Sequence, residues 1–366
     1  MKIFFKILYL PLLSLLTACS TMVDSFFINL VPHPQTPRER NYVVKEIEIT
    51  NPRDGTKIAA ELTYPETEKA VPAFVLISGT NGKIPYGKDS EITGHKYFLV
   101  ISHLLTNRGY AVLRFDNRVV GKSSGDYKNA TDDDFASDAA AALEWLRIKS
   151  GLNTSAEGYL GHSQGSSKAL LASYLENPDY IVSLGRGVLT LEQALLEQNN
   201  DINYAIGTKP LIAEKQIEEL KVVFGIFRSS KELPEVQEKL YSFAIGSGVV
   251  HKQANKFMSI YGTPWWLAEF DRDVSFTSYS GPVLALFGSK DLLVSAKVNE
   301  EPTRKSLTHA KLEVHTFEGL NHLFQKTVKG TGPYEYWGIE TTIEELVIDK
   351  IDKWTQSIVA QQSLQN

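Results

Sequence analysis

The sequence predicts an α/β fold with a mostly parallel central sheet flanked by helices and a helical insertion ahead of the last strands. Three observations carry this. Short apolar runs alternate with helical patterns, as strands do in a parallel sheet covered on both faces. One such run hands over to a helix through Tyr159-Leu160-Gly161-His162-Ser163-Gln164-Gly165, a serine between two glycines. An aspartate follows just past a later apolar run, and then a histidine just past an alternating one.

The elements follow in order. Lys45–Thr50 and Ile58–Tyr64 alternate like strands, and Asn51-Pro52-Arg53-Asp54-Gly55 between them is hairpin punctuation. Pro72–Ile77 and Tyr110–Phe115 read as buried strands. Glu157–Leu160 is a short buried strand before the serine, and Ser166–Glu176 carries helical spacing that stops near Asn177-Pro178. From Leu189 to Phe270 the pattern turns helical, as in Ile217–Phe224, and reads as an insertion capping a site. Gly281–Gly288 is strongly apolar and ends at Ser289-Lys290-Asp291, while Lys311–Phe317 alternates and leads into Glu318-Gly319-Leu320-Asn321-His322. The expected organisation is therefore 1–18 as a signal peptide, 19–44 as a lipidated tether, 45–188 with 271–360 as the core, and 189–270 as a helical cap.

The Gly-x-Ser-x-Gly pattern has a physical reason. A sharp strand-to-helix turn lifts the serine hydroxyl clear of the sheet, and only glycine fits two residues to either side. A tight glycine turn with an incidental serine is the plainer alternative. It loses ground because Ser163, Asp291 and His322 all fall beyond strand carboxyl ends, where reactive groups gather in such sheets. A serine hydroxyl attacks only when a neighbouring base takes its proton. His322 fits that base and Asp291 the group that orients it. The developing oxyanion needs fixed donors, for which the backbone N–H groups of Gln164 and Thr80 are the candidates, with Gly79 allowing close approach.

The remaining motifs read more plainly. His315 lies within a strand pattern, His162 beside the serine reads as packing, and His95 and His103 flank an upstream helix. Asp116, after Phe115, is the second-choice acid, though a turn role suits it better. Val120-Gly121-Lys122-Ser123 has Asp116 where a phosphate loop needs glycine, and Gly185-Arg186-Gly187 has Thr190 where a dinucleotide loop does. No histidine pair or cysteine cluster has metal-ligand spacing, so neither a metal nor another cofactor is expected. Phe224, Phe227, Trp265 and Trp266 are read as core of the cap, with lining of an apolar substrate pocket as the other reading.

Ser78-Gly79-Thr80, Gly94-His95-Lys96, Arg114–Arg118 with Gly121-Lys122-Ser123, the Ser163 turn, Phe287–Asp291 and Gly319–His322 together resemble bacterial α/β-hydrolases. The likeness is to proteins near the dienelactone hydrolases and the catalytic domains of prolyl-oligopeptidase-type serine peptidases. It spans about Glu46 to Trp354 and implies a serine esterase acting on a small-molecule ester through an acyl-enzyme. Gln164-Gly165-Ser166, Val119 and Asn81–Tyr86 depart from that pattern and bear on pocket shape rather than on the three reactive groups. A short-peptide peptidase or amidase is the alternative enzyme, and a carboxylate pair in the cap that would hold a peptide amino terminus is not evident. A catalytically silent envelope scaffold is the non-enzyme alternative.

With 366 residues and 43% hydrophobic content, the chain can bury a large core in one elaborated domain. A net charge of −5 gives no basis for a nucleic-acid partner. Met1–Lys6 is basic, Ile7–Leu16 is too short to span a bilayer, and Leu16-Thr17-Ala18-Cys19 resembles a lipoprotein cleavage box. Cys19, the single cysteine, is then the lipidation site, against plain cleavage near Ala18. The expectation is a bacterial envelope protein anchored to a membrane by lipid, at the outer membrane and facing the periplasm. No pattern speaks to oligomeric state.

Overall fold

The computed structural model describes residues 31–79, 85–270, 272, 279–306 and 311–364. The stretch expected to be a signal peptide, and Cys19, lie outside the described residues. An eight-stranded sheet runs in the order β1-β2-β6-β3-β7-β8-β9-β10. Its strands are β1 (Val43–Thr50), β2 (Lys57–Tyr64), β3 (Val71–Ile77), β6 (Ala111–Phe115), β7 (Thr154–His162), β8 (Tyr180–Leu184), β9 (Pro282–Gly288) and β10 (Lys311–Phe317). A separate two-stranded ribbon pairs β4 (Glu91–Ile92) with β5 (His95–Lys96). The β1–β2 and β2–β6 pairs are antiparallel, and every later neighbour is parallel.

The antiparallel start follows from local chemistry. Asn51 and Gly55 close the β1–β2 turn through Gly55 N–H to Asn51 O at 2.9 Å, and Gly55 takes a φ of 78° that disfavours a side chain. The parallel strands need crossovers, which α1 (Tyr97–Thr106), α2 (Asp132–Lys149) and α3 (Gln164–Ser173) supply. Alternate residues of β3 face opposite cores. Ala73, Val75 and Ile77 pack with α2 and α3, whereas Phe74 and Leu76 pack with α1 and with α10 (Glu345–Ser363). Burial on both faces explains why β3 reads as a continuous apolar run. At the start of α2, Asp134 accepts from the Thr131 N–H at 2.9 Å, and Asp132, Asp133 and Asp134 favour the positive helix end.

Between β8 and β9 the chain forms α4 (Leu191–Ala205), α5 (Pro210–Ser229), α6 (Leu233–Gly246), α7 (His251–Tyr261) and α8 (Pro264–Phe270). These helices share their own apolar cluster, centred on Val223, Phe224, Phe227, Leu240 and Phe257. Helix α9 (Ala296–Ser306) then links β9 to β10. The stretch read as a tether is fastened to the core from Gln35 onward. Gln35 donates to Ile343 O at 2.8 Å and accepts from the Thr342 N–H at 2.7 Å, and Arg40 pairs with Glu61 at 2.8 Å.

Candidate active site

Ser163 sits between β7 and α3 with φ 56° and ψ −127°, a conformation seldom held by a side-chain-bearing residue. The flanking glycines are required by contact. A Cβ on Gly165 would lie 1.9 Å from Ile77 O, and one on Gly161 would lie 2.5 Å from the Gly165 carbonyl. The Ser163 N–H donates to Leu184 O at 2.7 Å, which ties the turn to the next strand.

Asp291 follows β9 and His322 follows β10. His322 Nδ1 and Asp291 Oδ2 are 2.7 Å apart, and both side chains are buried. The other carboxylate oxygen, Oδ1, accepts from the N–H groups of Leu293 and Val294 at 2.7 and 2.9 Å. The carboxylate is thus clamped before it meets the imidazole. A Cβ on Gly288 would sit 2.4 Å from Leu320 O, so glycine there lets the His322 loop cross the end of β9. Asn321 shapes that loop by accepting from Leu323 and Gln325 N–H groups at 2.9 and 3.0 Å.

Ser163 and His322 line one cleft of about 250 Å³, together with Gly79, Gln164, Arg186 and Trp265. Because Nδ1 is committed to Asp291, Nε2 is the nitrogen left to act as a base. Gln164 heads α3, and its side chain donates to Asp132 at 2.9 Å. Gly79 packs against the turn, 3.6 Å from Gln164 N for a built Cβ. Thr80 lies outside the described residues. Ser78 and Gly79 are held from behind, since Lys168 Nζ donates to Ser78 O at 3.2 Å and Asn117 Nδ2 to Ser78 Oγ at 2.9 Å. Burial pushes the Lys168 ammonium down to about 8, and the ion also lies over the Phe135 ring.

His162 does more than pack. Its Nε2–H donates to the His322 backbone carbonyl at 3.0 Å, and its ring lies 4.8 Å from the His322 ring. Burial, reinforced by His322, pushes it down to about 3, so it is neutral and fixed as a donor. His95 is buried against Thr342, and burial lowers it to about 4. His103 lies within α1 beside Tyr42, and His315 is exposed on β10. Asp116 has a turn role, accepting from the Lys88 N–H at 2.6 Å.

The helical block supplies the opposite wall through Leu191, Leu195, Ile260, Trp265, Trp266 and Glu269. Phe224 and Phe227 belong to its interior, while Trp265 and Trp266 reach the cleft. Two carboxylates absent from the sequence reading also meet here. Asp132 accepts from Gln164 and from Trp265 Nε1 at 2.9 Å, and Glu269 accepts from Arg272 at 2.8 Å. Burial, then the nearby Asp132 charge, pushes Glu269 up to about 8. The two residues stand 137 positions apart in the chain, so no local motif could pair them.

Strand order, the serine turn and the strand-end loops define an α/β-hydrolase fold. A family model described as X-Pro dipeptidyl-peptidase (S15 family) matches residues 54–182, a stretch that includes Ser163. Esterase EstD of Thermotoga maritima is 24% identical over 297 residues, covering 81% of this chain and 65% of that protein. This chain therefore spans slightly less than two thirds of that relative. Among solved structures, a Pyrococcus furiosus esterase aligns at a TM-score of 0.50 and 16% identity over 87% of this chain and 91% of its own. Est1E of Butyrivibrio proteoclasticus with bound ferulic acid aligns at 0.50 and 16% identity, over 86% and 99%.

Proposed function

We propose that this chain is a serine hydrolase that cleaves carboxylic esters through an acyl-enzyme. The observation that carries this reading is His322, hydrogen-bonded to the clamped Asp291, lining one cleft with Ser163. In the proposed cycle, Ser163 Oγ attacks the ester carbonyl carbon as His322 Nε2 takes its proton. Asp291 keeps the ring in the required tautomer and stabilises the imidazolium. N–H groups of Gln164 and Thr80 serve as oxyanion donors. Collapse of the tetrahedral intermediate expels the alcohol, which receives the His322 proton. Water then attacks the acyl-serine with His322 again as base, releasing the acid and restoring Ser163. The cleft suits small to medium acyl groups, and Trp265 and Trp266 give it an apolar wall.

A peptidase or amidase is the second reading, favoured by the S15 family match and by the Asp132–Glu269 approach. It ranks lower because both carboxylates already accept hydrogen bonds from Gln164, Trp265 and Arg272. The helical block is proposed as a cap, and the Cys19 lipid as an anchor to the outer membrane. Nitrophenyl esters of increasing acyl length, assayed beside aminoacyl anilides, test the function. Turnover of the esters with weak or absent anilide cleavage supports the esterase, and faster anilide cleavage would replace it with the peptidase.

A further inference from the structure

Arg186 stands apart from the other sequestered arginines. Arg114 pairs with Glu61 and Asp89, Arg118 with Asp54 and Asp138, Arg147 with Glu157 and Glu176, and Arg272 with Asp133 and Glu269. Arg186 is partly buried on the wall of the Ser163 cleft. Its Nε donates to Ser167 Oγ at 2.7 Å, and among the described residues no carboxylate oxygen comes within 4.0 Å of its guanidinium.

The position is built rather than incidental. Gly185, the preceding residue, has φ 59°, and a Cβ there would sit 3.2 Å from the His322 imidazole. The chain therefore turns directly off His322 into Arg186. Ser167, which holds Nε, lies one helical turn along α3 from Ser163, a rise of about 5–6 Å. With Nε anchored, the two terminal nitrogens remain as a fork, the geometry that matches a carboxylate with two parallel hydrogen bonds. Withdrawal from water lowers the Arg186 pKa despite the opposing pull of Asp132 and Glu269, so nearby charge does not fully compensate the cation. An uncompensated charge in a cleft is costly, and an anionic ligand group offsets that cost.

We propose that Arg186 is a specificity-determining residue and that the preferred ester carries a carboxylate, bound by its guanidinium near the carbonyl that Ser163 attacks. This rests on the serine-hydrolase reading and adds the substrate class to it. The carboxylate could sit on the acyl or on the alcohol half, and matched probes separate the two. For the acyl half, 4-nitrophenyl hydrogen adipate is compared with its methyl ester. For the alcohol half, 4-butyryloxybenzoate is compared with its methyl ester.

In the wild type, one pair should show kcat/KM higher for the carboxylate form by on the order of tenfold or more, mainly through KM. In Arg186→Gln that ratio should fall to about one, and Arg186→Lys, which keeps the charge without the fork, should recover part of it. Melting curves of each variant establish that it is folded. A wild type that favours the neutral ester in both pairs would overturn the proposal without reference to any variant. So would a preference that survives in Arg186→Gln. If no ester is cleaved, the hydrolase reading fails separately. Calorimetric titration of adipate then judges the subsite: binding to wild type that is lost in Arg186→Gln supports it, and no binding to wild type overturns it.

Discussion

The His162 side chain donates a hydrogen bond of 3.0 Å to the backbone carbonyl of His322. A residue adjacent to the proposed nucleophile thereby fixes the main chain that bears the proposed base, 160 positions away. Removing the donor in His162→Phe leaves that carbonyl buried without its partner and releases the loop. Ester kcat/KM should fall about 10- to 100-fold, the usual consequence of misplacing a reacting group by about an ångström. Steady-state kinetics read this, and an unchanged rate would contradict it.

The same ring predicts acid sensitivity. His162 and His95 are held near 3 and 4, below the 6.5 of an unfolded histidine. As pH falls, the unfolded chain takes up these protons first. Their contribution is complete above about pH 6.5 and is lost progressively toward pH 3. Urea midpoints should drop steeply across that window, and less steeply in His162→Phe.

Glu269 carries the opposite sign. Its folded pKa is raised to about 8 from the ordinary 4.5, so the folded state holds a proton that the unfolded chain has already released. That contribution is whole below about pH 4.5 and disappears as pH rises to about 8. Glu269→Gln should flatten the decline in stability over this range, measured as melting temperature against pH.

Asp291→Asn keeps an oxygen for the Leu293 and Val294 N–H groups but turns an amide toward His322 Nδ1. The imidazole then adopts the other tautomer and loses its basic Nε2. A loss in kcat on the order of 10⁴ at nearly unchanged melting temperature is expected.

Two glycine substitutions bracket the packing argument. Gly165→Ala drives a methyl into Ile77 O and should cost about 3 kcal/mol or more, read as loss of soluble protein or a much lower melting point. Gly225→Ala, in mid-helix α5 with open space around it, should gain about 0.5–1 kcal/mol.

Much of the fold was legible because its signals are local. Burial on both faces made β3 and β9 apolar throughout, and the steric demand at Ser163 left glycines at 161 and 165. Ser163, Asp291 and His322 could be placed because each lies just beyond a strand visible in the sequence, by an apolar run for β9 and by alternation for β10. What escaped was contact between distant segments. His162 looked like packing because its partner is a backbone carbonyl, which has no sequence signature. Arg186 lies inside a glycine pattern that fails as a dinucleotide loop, and its place in the cleft shared with His322 depends on how β8 pairs with β9. Asp132 and Glu269 come from a helix start and the helical insertion, so only the folded chain brings them to one cleft. The stretch up to Arg40 reads as a tether because Pro32, Pro34 and Pro37 suggest extended chain, yet the Gln35 and Arg40 side chains find partners on the core.

The most direct measurement is covalent labelling with a fluorophosphonate, followed by mass spectrometry of the modified peptide. One stoichiometric adduct is expected on Ser163, forming at a rate that collapses in His322→Ala and not forming at all in Ser163→Ala. A folded wild-type protein that stays unlabelled, or an adduct on another residue, would contradict it.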